Sequence, residues 1–102
     1  MEKKEKRKIE DLLDRLSIPV SNLGYEYLVT AINDKRLNEN AVIEDIYHNI
    51  AEKHHTTRDR VERAIRHSYY KKEKTIQEYF NVSYKITNKK LLALLIREVG
   101  RI

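Results

Sequence analysis

The length and composition of the chain limit the folds and functions open to it. At 102 residues it can form one domain with a single modest core. With 36% charged residues, two glycines and one proline, it favours helices over β hairpins. The absence of cysteine from the sequence excludes a disulfide framework, thiol catalysis and cysteine-based zinc sites. We therefore predict an all-α fold.

No segment has the pattern of a membrane span or an export signal. The longest apolar run, residues 91–96, is far shorter than the roughly 20 residues that a membrane-spanning helix needs. The charged residues 1–8 are not followed by the apolar stretch that a signal peptide requires. We expect a cytoplasmic protein with no membrane partner.

Positive charge is concentrated in one segment of the chain. Residues 53–74 contain eight basic and three acidic residues, a difference that equals the net charge of +5 of the whole chain. Such a concentration favours a polyanionic partner.

The spacing of apolar residues predicts the first three helices. Residues 1–8 form a charged run that we interpret as a tail, a frayed helix start or a linker remnant before a domain over residues 9–102. The first helix should end near Leu16, because the residue before Pro19 avoids helical backbone angles. Ser21 is predicted to cap the second helix, and the third is predicted over residues 39–53. The predicted inward positions are Ile9, Leu12, Leu13, Leu16, Leu23, Tyr27, Leu28, Ile32, Val42, Ile43, Ile46, Ile50 and Ala51.

Three further helices complete a predicted compact bundle of about six. Thr56 or Thr57 is expected to cap a fourth helix that extends to about residue 72. A short fifth helix is predicted over residues 75–80, and Thr87 is predicted to cap the last helix. The inward residues of that last helix are Leu91, Leu92, Leu95, Ile96 and Val99.

The third and fourth helices have the spacing of a helix-turn-helix, in which the second helix enters the major groove of DNA. A small residue, Ala51, allows the two helices to approach closely, and Val61 and Ile65 supply the apolar face that packs against the first helix. His55 stands in the turn where many such motifs have glycine.

A helical wheel divides the fourth helix into a packing face and an outward face. The packing face contains Thr57, Val61, Ala64, Ile65 and Ser68, and the outward face contains Asp59, Glu62, Arg63, Arg66 and Tyr70. Arginine can donate twice to guanine, glutamate can accept from cytosine, and the lysines that follow can neutralise phosphates. The charge pattern alone leaves open an ordinary solvated face with Glu62–Arg66 pairing at i,i+4.

The sequence RVERAIRH at residues 60–67 is the most specific motif of the chain. Together with NIAEK at residues 49–53, it resembles the C-terminal DNA-binding domain of the master sporulation response regulator of endospore-forming bacteria. The segments around Pro19 and Gly24, and the pair Thr87 and Asn88, are similar to the early and last helices of that family. The resemblance spans about residues 9–102.

This resemblance implies a transcription regulator that binds short double-stranded DNA boxes of the TGTCGAA type through a helix-turn-helix. Matched residue by residue, the base-reading positions of the family correspond to Arg60, Glu62 and Arg63. Together with the charge pattern, it leads us to expect supporting or backbone contacts from Thr56, Thr57, Arg58, Arg66, His67, Lys71 and Lys72. Family members bind tandem boxes as head-to-tail dimers, which implies self-association on DNA, and they contact RNA polymerase.

Two departures from the family pattern concern regulation and assembly. The 102 residues include no receiver domain, so the aspartyl-phosphate switch of the family is either absent or located in an upstream domain. After His67 the family continues with a small and apolar stretch that ends in tryptophan, whereas this chain has SYYKKEK at residues 68–74. In the family, that neighbourhood touches polymerase or the second protomer.

Other functions have less support in the sequence. The four histidines lack the HExxH spacing, and there is no Ser/His/Asp grouping or glycine-rich phosphate loop, so we expect no metal, no cofactor and no enzyme activity. Tyr69 and Tyr70 leave open stacking on single-stranded nucleic acid. Another alternative is a degenerate family member that modulates a related regulator by protein interaction. The presence of Arg60, Glu62 and Arg63 argues against it, because a pure interaction module would not need base-reading side chains.

Overall fold

The computed structural model describes residues 2–102 and confirms the all-α prediction. Its α-helices are α1 (Lys3–Arg15), α2 (Leu23–Leu37), α3 (Ile43–Lys53), α4 (Arg58–Tyr69), α5 (Glu73–Phe80) and α6 (Asn88–Arg101), with a single 3₁₀ turn (Tyr70–Lys72) between α4 and α5. The radius of gyration is 12.6 Å, close to the value of about 13 Å for a compact domain of this length. None of the helices within residues 2–102 is long and apolar enough to cross a membrane.

Residues 3–8 of the charged N-terminal run, for which the sequence left open a tail, a frayed helix start or a linker remnant, form the first turns of α1. Met1, also part of that interpretation, lies outside the described residues. Glu5 forms an ion pair with Arg36 of α2, and the guanidinium lowers the pKa of Glu5. The run is therefore attached to the domain through α2.

α2 is the central helix, in contact with α1, α3, α4 and α6. Its buried residues surround most of its circumference instead of forming the single predicted stripe. Leu23, predicted to point inward, is 56% exposed because it lies at the start of the helix. Asn22, and not Ser21, provides the cap, since its Oδ1 accepts a hydrogen bond from the Gly24 amide at 3.2 Å.

α3 begins four residues later than predicted. Lys35 of α2 donates to the carbonyls of Glu39 and Ala41, each at 2.6 Å, and holds residues 38–41 in a turn. Val42, predicted to point inward, is consequently 54% exposed.

The core lies between α2 and the helices around it. The predicted inward residues that are fully buried include Ile9, Leu12, Leu13, Leu16, Leu28, Ile32, Ile50, Val61, Ile65, Leu91 and Leu95. Tyr47 and Tyr69, absent from the predicted inward sets, are also buried. Tyr25, also absent from those sets, is buried as well, so apolar periodicity located most of the core and missed three of its tyrosines.

Residues with left-handed backbone angles follow α1, α3 and α5. They are Ser17, His55 and Asn81, with φ of 61°, 52° and 55°. In each case the amide of the next residue donates to the carbonyl five positions before it, over 2.9–3.1 Å: Ile18 to Leu13, Thr56 to Ala51, and Val82 to Gln77. These bonds are typical of the Schellman ending, in which glycine is the usual left-handed residue. None of the three positions in this chain is a glycine.

Candidate nucleic-acid interface

The connection between α3 and α4 comprises residues 54–57. His55 adopts the left-handed backbone angle that reverses the chain after α3. It stands at the position where many helix-turn-helix motifs have glycine. Thr57, with extended backbone angles, then caps α4, since its Oγ1 accepts from the amide of Arg60 at 3.2 Å. This confirms that one of the two predicted threonines is the cap, and identifies it as Thr57.

We expect His55→Gly to raise the free energy of unfolding by about 1 kcal/mol, because glycine adopts the left-handed region without the steric cost of a Cβ atom. Urea denaturation measures the change. Asn81→Gly is the matched control and should give a smaller gain, because asparagine tolerates this region better than histidine does. An equal or larger gain at residue 81 would contradict the assignment.

α4 presents one buried and one exposed face, as the helical wheel predicts, except that Thr57, predicted on the packing face, is exposed at the cap before the helix. Val61 and Ile65 are fully buried, and Ser68 is buried with its hydroxyl donating to the carbonyl of Ile65 at 2.6 Å. Ala64 is partly buried at the same face. These residues pack α4 against α2 and α3.

The exposed face of α4 carries a shallow cationic depression lined by Arg60, Arg63, Arg66, His67 and Tyr70. The rings of His67 and Tyr70, both part of this lining, lie 5.2 Å apart between centroids. Three guanidinium groups at one open surface are suited to a large, flat polyanion and not to an enclosed small ligand. The structure thus brings Arg60, which the helical wheel assigned to neither face, together with Arg63 and Arg66, which it assigned to the outward face.

Glu62 lies beside this depression and not in its lining. Its carboxylate accepts from the guanidinium of Arg66 at 2.5 Å, the i,i+4 pair that the sequence left open. Of the three predicted base-reading residues, two line the depression, and the third forms an ion pair with a residue of that lining.

The family model described as the C-terminal domain of the sporulation initiation factor Spo0A matches residues 9–99 of the 102-residue chain. The chain belongs to this family. The family is one of DNA-binding sporulation regulators and not of enzymes. The exposed arginine face of this Spo0A-type domain therefore lies on a protein whose family binds DNA.

The remaining predicted contact residues of the Spo0A-type domain are distributed around α4. Thr56 and Arg58 flank the cap at the start of the helix. The prediction that the recognition helix extends to residue 72 is wrong, because the backbone of Tyr69 turns to φ −124° and ψ −5° and α4 ends there. Lys71 and Lys72 therefore lie in the 3₁₀ turn, where the Lys71 ammonium is 5.8 Å from the ring centroid of Tyr70.

Of the two tyrosines considered for stacking on single-stranded nucleic acid, only Tyr70 is exposed. Tyr69 is 2% exposed, and its hydroxyl donates to Asn88 of α6, so it cannot offer a ring face to a base. The histidines are also dispersed. His48 pairs with Glu52, His54 packs edge-on against Tyr27, and across residues 2–102 no three metal-ligating side chains converge.

A buried polar cluster behind α4 was not found from the sequence. The side chain of Asn88 accepts from the hydroxyl of Tyr69 at 2.6 Å and donates to the hydroxyl of Tyr47 at 3.1 Å and to the carbonyl of Glu62 at 3.0 Å. Burial raises the pKa of both tyrosines, so their hydroxyls stay protonated. The only sequence signal for this cluster was that Asn88 directly follows the predicted cap Thr87. That position by itself indicates the start of a helix and not a buried polar contact.

Proposed function

We propose that α3 and α4 form a helix-turn-helix and that α4 enters the major groove of double-stranded DNA to read boxes of the TGTCGAA type. The observation that carries this proposal is the exposed face of α4, where Arg60, Arg63 and Arg66 line one depression while Val61 and Ile65 on the opposite face are fully buried. An α-helix with its side chains is about 10–12 Å across, a diameter that a major groove about 12 Å wide admits, and the 12 residues of α4 would extend about 18 Å along the groove.

Arg60 and Arg63 are proposed to donate to the O6 and N7 atoms of guanines. Glu62 is proposed to accept from the amino group of a cytosine. Its ion pair with Arg66 does not prevent this, because an exposed i,i+4 pair contributes only about 0.5 kcal/mol and can be exchanged for contacts to DNA.

Contacts to the sugar-phosphate backbone would fix the register of α4 in the groove. We assign these contacts to Thr56, Thr57, Arg58, Arg66, His67, Lys71 and Lys72. Two copies of this domain would then bind tandem boxes head to tail. The bound domain would also contact RNA polymerase on the same promoter. Such a regulator works in the bacterial cytoplasm, on the nucleoid.

Fluorescence anisotropy with labelled duplexes tests the proposal. A tandem-box duplex and a scrambled duplex of equal length and composition are titrated at two salt concentrations. We expect both affinities to fall as salt rises, because phosphate contacts release counterions, and the tandem-box duplex to bind more tightly by a factor on the order of 10³. Equal affinities for the two duplexes at both salt concentrations would overturn sequence reading.

A further inference from the structure

Asn88 connects three helices through one buried side chain. It is the first residue of α6 and is 7% exposed. Its amide group bonds Tyr47 of α3 and both Tyr69 and Glu62 of α4. No buried side-chain nitrogen or oxygen within residues 2–102 lacks a hydrogen-bond partner, so each buried polar side-chain atom of this cluster has at least one.

The bond to Glu62 differs from the other two because it reaches a backbone atom in the middle of α4. That carbonyl belongs to the same turn as Arg60 and Arg63. The apolar contacts of Val61 and Ile65 resist separation of α4 from the core, but they are non-directional and permit rotation of the helix about its axis. A hydrogen bond depends on distance and angle, so it restricts that rotation.

Asn88 is itself held firmly, as a positioning residue must be. Thr87 caps α6 through the amide of Lys90 at 3.3 Å. The amide of Ile86 donates to the carboxylate of Glu73, at the start of α5, at 2.8 Å. With Leu91 fully buried one turn later, the start of α6 is a fixed reference for α4.

We propose that Asn88 is a positioning residue for DNA reading: its bond to the Glu62 carbonyl sets the rotation of α4 and hence the direction in which Arg60 and Arg63 point. This inference rests on the proposed function. Base-reading groups need to be held within about 0.5 Å and 10–20° of their productive geometry, and a directional bond at the centre of the reading turn achieves this.

The test compares Asn88→Leu with Tyr47→Phe and Tyr69→Phe. The leucine variant has a similar volume and removes all three bonds of the Asn88 side chain, the bond to the Glu62 carbonyl among them. Each phenylalanine variant removes one other bond of the cluster and leaves that bond in place. All three substitutions should lower the melting temperature of the domain. The measurements that decide the question are therefore made well below the lowest of the three melting temperatures.

Two measurements separate positioning from stability. In the DNA-free domain, residual dipolar couplings should show α4 rotated relative to α2 by about 10–20° in Asn88→Leu and unrotated in the phenylalanine variants. On DNA, the measured quantity is the Kd for the scrambled duplex divided by the Kd for the tandem-box duplex. We expect this ratio to fall about tenfold in Asn88→Leu, which is the effect of losing one bidentate base contact. In the two phenylalanine variants the ratio should stay within about twofold of the native value.

An unchanged α4 orientation together with an unchanged Kd ratio in Asn88→Leu would overturn the proposal, as would equal effects in all three variants. If the native domain itself fails to discriminate between the duplexes, the proposed function fails, while the dipolar couplings still decide whether Asn88 sets the orientation of α4. If Asn88→Leu does not fold, Asn88→Ser provides the same comparison, because its hydroxyl is too short to reach the Glu62 carbonyl.

Discussion

Replacing Gly24 with alanine is expected to lower the free energy of unfolding by about 3 kcal/mol. An added Cβ at this buried position of α2 would overlap the carbonyl oxygen of Ala64 and lie 2.7 Å from the Cβ of Ser68. Both neighbours belong to α4, and one is backbone, so no rotation of a flexible side chain can relieve the overlap. Only a displacement of α4 from α2 can do so. Urea denaturation measures the loss.

The second glycine provides a matched control. A Cβ at Gly100, in the last turn of α6, would meet no atom within 4 Å. Gly100→Ala should therefore leave stability unchanged or raise it by up to about 1 kcal/mol, because alanine has the higher helix propensity. Similar effects of the two substitutions would contradict the close approach of α2 and α4.

The features that the sequence predicted correctly depend on neighbours within about one helical turn. Thr57 and Thr87 cap their helices through amides three residues ahead. Val61 and Ile65 are four residues apart and share a buried face. Side chains at these spacings meet in any helix, so the pattern is legible before the tertiary fold is known.

Two features that the sequence did not predict depend on residues distant in the chain. Asn88 bonds Tyr47 and Glu62, which are 41 and 26 positions away. Gly24 is required because α4 passes over it, and nothing near it in the sequence indicates that contact. The early start predicted for α3 was wrong for a different and local reason, since Lys35, four and six residues before Glu39 and Ala41, donates to their carbonyls and holds residues 38–41 in a turn. Long-range packing determines the first two features, and helical periodicity carries no information about it.

Arg63→Ala is expected to weaken binding to the tandem-box duplex by about 1–3 kcal/mol, a factor of about 5–150, and to relax discrimination at one base position. Arg63 is exposed, lines the cationic depression and forms no ion pair within residues 2–102. Its removal would therefore take away the proposed base contact without releasing another charge from an ion pair. Glu62→Ala would be less informative, because it would also release Arg66 from its ion pair.

Lys71→Ala is the matched control for Arg63→Ala, since each removes one positive charge. Lys71 lies in the 3₁₀ turn beyond α4, where we propose that it contacts phosphate and no base. Its loss should weaken matched and scrambled duplexes alike and reduce the salt dependence of binding by about one released counterion. If Arg63→Ala also weakened both duplexes equally, its guanidinium would be a phosphate contact, and base reading would have to reside in Arg60 and Glu62 alone. A loss confined to the matched duplex therefore distinguishes a reading helix from a merely basic one.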